Sequence, residues 1–176
     1  MKHSLIYIVV VIVIIIVNGF VLDTSASGQI TSTATASATL VQPINLDKVR
    51  DLSFGKIASS ETSGTVVLDP IASSTRTASG GVTLPAGTST VQSAKFIVSG
   101  ADGNTYSIIL PSAATTLSNG TNFMTVDNFT STPSGSATLN SGSQIIYVGA
   151  TLNVNAYQEA GDYISTQDFE VTVNYN

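Results

Sequence analysis

The chain has 176 residues, a formal net charge of -5 and a sequence pI near 4.4, with no cysteine, no tryptophan and one histidine. Only 10% of the residues are charged while 43% are hydrophobic, and Ser with Thr supply about another quarter; this is the uncharged, β-prone composition of a single folded domain and not that of a disordered chain. Six Lys and Arg against eleven Asp and Glu give a field that repels phosphate backbones, so no nucleic-acid partner is expected.

Lys2 and His3 precede an apolar run from Leu5 to Val17, which gives way at Asn18 and Gly19 to Thr24, Ser25, Ala26, Ser27 and Gly28. This is the layout of a secretory signal peptide. Residues 1–28 are read as the leader and 29–176 as a single β-sandwich domain. Ala26 and Gly28 supply the small side chains needed before a cut, and a cut after Ala26 fits nearly as well. The alternative is a retained anchor, because extension through Leu22 reaches about the 18 residues at which a spanning helix becomes feasible. The interruption at Asn18-Gly19 favours the leader, with no stable membrane span after cleavage and a secreted or cell-surface location. Cleavage would also remove His3, leaving neither His nor Cys. Zinc, copper, haem and iron–sulfur sites, and Ser-His or Cys-His nucleophiles, depend on those side chains. The expectation is therefore no cofactor, no metal and no enzyme. The remaining chain, about 148 residues, is long enough to bury most of its unfolded surface without disulfides.

From Ile30 onward, period-two alternation recurs with turn residues between the runs, which predicts an all-β fold. Ile30, Ser32, Ala34, Ala36, Ala38 and Leu40 share one face of a first extended segment that Pro43 ends. Leu46 to Ile57 carries Leu52 and Phe54 into a turn at Gly55, and Thr65 to Leu68 is a short apolar strand closed by Asp69-Pro70. Arg76 to Leu84, interrupted at Gly80-Gly81, and Val91 to Ser99 follow. Asp102-Gly103 then predicts a hairpin joining the latter to Tyr106–Leu110. Phe123 to Phe129 is a further strand, and Thr130 to Ser136 a loop rich in Ser, Thr, Pro and Gly. Ile146, Val148, Ala150, Leu152 and Val154 line one face of a long strand. In the last strand Phe169, Val171, Val173 and Tyr175 point one way and Asp168, Glu170, Thr172 and Asn174 the other. Nine or ten such segments predict an immunoglobulin-like antiparallel sandwich with Greek-key crossings.

No residue set names a reaction. Ser53-Phe54-Gly55-Lys56 has the Ser-x-x-Lys spacing of penicillin-binding enzymes, but that spacing works on a helix and here lies in a β pattern without the companion motifs. Asp168 and Glu170 stand about 6–7 Å apart on one strand face, a separation used by inverting glycosidases, although two carboxylates on a solvent face ordinarily just solvate it. Asp102 and Asn104 offer oxygen ligands for calcium, and a turn accounts for the same residues. Tyr147 and Tyr157 are the candidates for a sugar-stacking platform, and Tyr163 after Gly161-Asp162 has the placement of a tyrosine corner.

Leu52-Ser53-Phe54-Gly55, Gly80-Gly81-Val82-Thr83-Leu84, Phe96–Gly100 leading to Thr105-Tyr106-Ser107-Ile108, Tyr147-Val148-Gly149-Ala150-Thr151-Leu152, and the ending Gly161, Tyr163, Phe169 and Val171–Asn176 together resemble the bacterial domain-of-unknown-function family 4402. More loosely, the Phe54-Gly55 turn and the closing strand are similar to spore coat protein U and archaic chaperone-usher pilus subunits, without the cysteine pair often seen there. The resemblance implies a secreted bacterial protein without established catalysis. The looser similarity implies a sandwich lacking one strand, filled first by a periplasmic chaperone and then by the extension of another subunit. Ile30–Val41, with Ile30, Ala34, Ala36, Ala38 and Leu40 inward, is the donor on that reading; strand one of a self-contained sandwich is the other. The expected function is a secreted, non-enzymatic, structural or adhesive surface protein that self-associates or joins related subunits by strand exchange into a fimbria-like or coat-like assembly. The alternative is a monomeric glycan-binding module.

Overall fold

A computed structural model describes residues 28–176. The expected leader lies outside the described residues, apart from Gly28. The chain divides into two units, the first ending at Thr39 and the second comprising Leu40–Asn176. Within the first, residues 28–39 carry no strand, and their side chains are exposed.

The second unit is all-β, with no helix among the described residues. Its strands are β1 (Asn45–Arg50), β2 (Ala58–Leu68), β3 (Arg76–Thr83), β4 (Ala94–Ser99), β5 (Thr105–Ile109), β6 (Thr115–Ser118), β7 (Phe123–Thr132), β8 (Ser136–Thr138), β9 (Ser143–Val154), β10 (Ile164–Ser165) and β11 (Thr172–Tyr175). All pairings are antiparallel.

The long strand β9 is the spine, because its alternation supplies a buried side chain at every second position: Ile146, Val148, Ala150, Leu152 and Val154. Along one edge it pairs first with β4, as far as Val148↔Ala94, and then with β2, starting at Ala150↔Leu68; along the other it pairs with β7. The change of neighbour occurs at Gly149, where a Cβ would run into the backbone of Leu68 and Asp69. A side chain there would push β2 off the spine.

Two hydrophobic clusters follow from this sharing. In one, the β1-β4-β9-β7 sheet faces the three-stranded sheet β11-β5-β8, and Phe96, Val98, Tyr106, Ile108, Leu139 and Val148 fill the space between. The eight-stranded sheet, which continues from β7 into β6 and β10 and carries β2 and β3 on β9, and the three-stranded sheet together make an antiparallel, sandwich-like all-β arrangement. In the other, Phe54 from the segment after β1 covers Val66, Leu68, Val126 and Leu152 of the β2-β9-β7 surface.

Several expectations change. Ile30–Val41 is not a strand of the second unit: the place beside β4 belongs to β1, whose residues Leu46 and Arg50 reach further inward than the Ala/Thr run. Asp102-Gly103 is a turn but not a hairpin. Both edges of β4 are taken by β1 and β9, and both edges of β5 by β11 and β8, so the two strands lie in different sheets. Gly103 at φ 74 turns the chain across, and its N–H donates to the Leu139 carbonyl (2.9 Å) while the Leu139 N–H donates to the Asn104 carbonyl (2.9 Å). The supposed loop from Thr130 is strand to Thr132, and Ser136–Thr138 is β8. β2 begins at Ala58, well before Thr65, while β6, β8 and β10 are short additions.

Candidate functional site

The last strand is shorter than expected: only Thr172–Tyr175 is strand, and Phe169 and Val171 lie in the segment before it, yet Phe169, Val171, Val173 and Tyr175 are all half-buried against the β4/β5/β9 core while Glu170, Thr172 and Asn174 between them are exposed. β11 pairs with β5 along Thr172↔Ile109 to Tyr175↔Tyr106. Among the described residues no strand pairs with its other edge. The free edge of β1 lies at the same side, and Ile44 and Leu46 are half-buried there. The result is an open side lined by apolar groups that the core only partly covers.

The two edges differ in how they meet water. β1 carries Asp47, Lys48 and Arg50 and has a bulge between Lys48 and Arg50, features that discourage further pairing. Lys48 forms an exposed ion pair with Asp51 at 2.7 Å. β11, by contrast, reads Thr-Val-Asn-Tyr, with no charge, no proline and an unbroken register. Its exposed row of backbone N–H and C=O groups is a ready template for another strand.

Tyr175 closes the base of this side. Its hydroxyl accepts from the Ala101 N–H (2.7 Å) and donates to the Gln42 carbonyl (3.0 Å). Gly100 leaves room for it, since a Cβ there would overlap the phenolic oxygen. The start of the second unit is therefore fixed at the end of β11. The five strand-exchange residues lie before or at this point: Ile30, Ala34, Ala36 and Ala38 belong to the first unit and Leu40 opens the second, and all are exposed, Ile30 at 96% and Leu40 at 99%.

The turn residues do structural work. Phe54 is buried, its carbonyl accepts from Arg76 Nη1, and Gly55 turns at φ 68 against Ser89 and Val91. The Tyr163 hydroxyl donates to the Glu159 carbonyl (2.9 Å) and accepts from Gln158 Nε2 (2.8 Å), bracing the chain four residues upstream in the manner of a tyrosine corner. Gly161 packs beside Asn119. Ser53 bridges to Gln92 in a β-bridge and donates its hydroxyl to the Thr90 carbonyl, so it has no helical lysine partner. Asp168 and Glu170 are exposed, and Asp102 accepts from the Gly142 N–H (3.3 Å). Tyr147 is half-buried, with the Arg50 guanidinium 5.7 Å from its ring centre, so one face is already occupied. Arg50 itself is anchored on the Ser93 carbonyl (2.9 Å), a tie between β1 and the start of β4 that no local motif announced.

The family described as a domain of unknown function (DUF4402) matches residues 44–175, and the chain belongs to that family. No curated protein matches the chain. No solved structure matches it.

Proposed function

We propose that this DUF4402 domain is an exported, non-enzymatic structural subunit of a bacterial surface, assembled by β-strand exchange between copies. The observation that carries the reading is the uncharged, unpaired edge of β11 beside half-buried Val171, Val173 and Tyr175. An exposed segment of matching character supports it: Ile30–Val41 alternates, has no charge, and forms no strand. At about 3.3 Å per residue, twelve residues reach about 40 Å, longer than β11 and β1 alike. The apolar leader-like start supports export, and a related subunit or a periplasmic chaperone would fill the same side before assembly.

The test compares the full chain with a variant lacking residues 30–41, by sedimentation and by gel lanes run with and without boiling. Heat-sensitive ladders from the full chain, lost in a deletion variant that remains a folded monomer, are the expected outcome. Folded monomers from both would overturn assembly by exchange. Unfolding of the deletion variant would mean that the segment completes its own domain.

A further inference from the structure

At one end of the sandwich the β6–β7 turn and the segment following β9 enclose a shallow concavity lined by Asn122, Phe123, Asn155, Tyr157 and Gln158. Two large rings face water there: Phe123 is 54% exposed and Tyr157 76% exposed. Tyr157 sits at φ 53, in the left-handed region that a bulky side chain adopts only at a cost. Its N–H donates to the Ser60 carbonyl (2.7 Å) and its hydroxyl reaches the Glu61 carboxylate (3.4 Å). The backbone is thus held so that the ring stands out from the surface. Asn155 Nδ2 donates to the Phe123 carbonyl (3.3 Å), joining the two sides of the concavity, and the Asn119 side-chain oxygen accepts from the Thr121 and Asn122 N–H groups (3.1 and 2.8 Å), shaping the turn.

The lining is aromatic and amide in character. Among the described residues no Lys or Arg lines it, and the nearest charge named above is the Glu61 carboxylate, which disfavours anions. Ring faces accept the C–H face of a pyranose, and carboxamides supply the paired donors and acceptors that sugar hydroxyls need. We propose that this concavity binds a neutral saccharide, with Phe123 and Tyr157 as the stacking platform. The site does not depend on strand exchange, and it stands apart from Tyr147, whose ring Arg50 covers.

The test titrates the full chain with cellohexaose, maltohexaose and chitohexaose, following tyrosine fluorescence, which no tryptophan obscures. At least one should bind saturably, with affinity falling about tenfold or more in Phe123→Ala and in Tyr157→Gly. Glycine adopts the left-handed backbone freely, so Tyr157→Gly should melt no lower than the parent, which separates lost binding from lost folding. Three results overturn the proposal: no saturable binding by any of the three, binding that survives both substitutions, or a change in self-association in place of sugar binding, which would assign the patch to a protein contact.

Discussion

Gly100→Ala tests the packing at the base of the open side. Gly100 is buried at the end of β4, and its new Cβ would overlap the Tyr175 hydroxyl and stand 3.1 Å from both Cζ of Tyr175 and Cδ1 of Leu139. The ring must move, and its movement breaks the bonds to Ala101 and Gln42. Overpacking of this kind costs about 1–3 kcal/mol, and each lost hydrogen bond about 1 kcal/mol. A loss of about 3–5 kcal/mol is therefore expected, measured by urea unfolding with circular dichroism. At a slope of about 2 kcal/mol per molar urea, the midpoint falls by about 1.5–2.5 M. Tyr175→Phe alone removes the two bonds without the clash and should cost about 1–2 kcal/mol. In the double variant the clashing oxygen is gone, so the two losses should fall short of additivity by about 1 kcal/mol or more. Strict additivity would refute the contact as the cause.

Other outcomes follow from the same geometry. The Tyr106 ring is fully buried and its hydroxyl donates to Gln144 Oε1 (3.0 Å); burial pushes its pKa up, so the stability it protects is complete below the unfolded value of about 10 and is lost as pH rises from there toward the folded value, by at most about 1.4 kcal/mol per unit. Lys48, raised by its hydrogen bond to Asp51, works in the same direction but is fully exposed; Tyr106→Phe should therefore flatten most of the alkaline slope, and an unchanged slope would remove Tyr106 as its source. Truncation after Asp168 removes four half-buried apolar side chains, about 1 kcal/mol each, together with the β11 ladder, and should leave no folded domain; a soluble product with a cooperative melt would refute that. Ala36→Asp, at an exposed position, should leave the melting temperature unchanged while abolishing the gel ladders; ladders that persist would argue against Ile30–Val41 as the exchanged strand.

The β9 spine and the alternation from Phe169 to Tyr175 were legible because one-sided burial writes a period of two into the sequence. The partner of each strand was not. Asp102-Gly103 marks a tight turn equally well whether the flanking strands pair or part, and the choice depends on which edges β1, β9, β8 and β11 already occupy. β6 and β8 escaped notice because they are short and half-buried, with too few side chains to show a period. At the candidate sites, the role of Tyr175 was readable only as an inward aromatic. Its bonds to Ala101 and Gln42 span most of the chain and have no local signal. Phe123 read as an ordinary strand residue, and its exposure follows from standing at the first position of β7 on the face opposite the buried Met124 and Val126.

The two alternating segments at either end of the domain differ in what their side chains can bury. β11 and its approach carry Phe169, Val171, Val173 and Tyr175, whereas Ile30–Val41 carries alanines between one isoleucine and one leucine. Fixing a residue's backbone costs about 1–2 kcal/mol, and an alanine recovers little of this through apolar burial. Such a segment orders itself only where hydrogen bonds on its edges add to that burial. An uncharged edge with half-covered apolar neighbours provides both, and β11 has that edge. Small side chains also let a strand enter a nearly closed sandwich without displacing its core, since the β4/β5/β9 cluster is already filled by Phe96, Tyr106, Leu139 and Ile146. The low apolar content of Ile30–Val41 thus suits a strand that stays exposed on its own copy and is held on another.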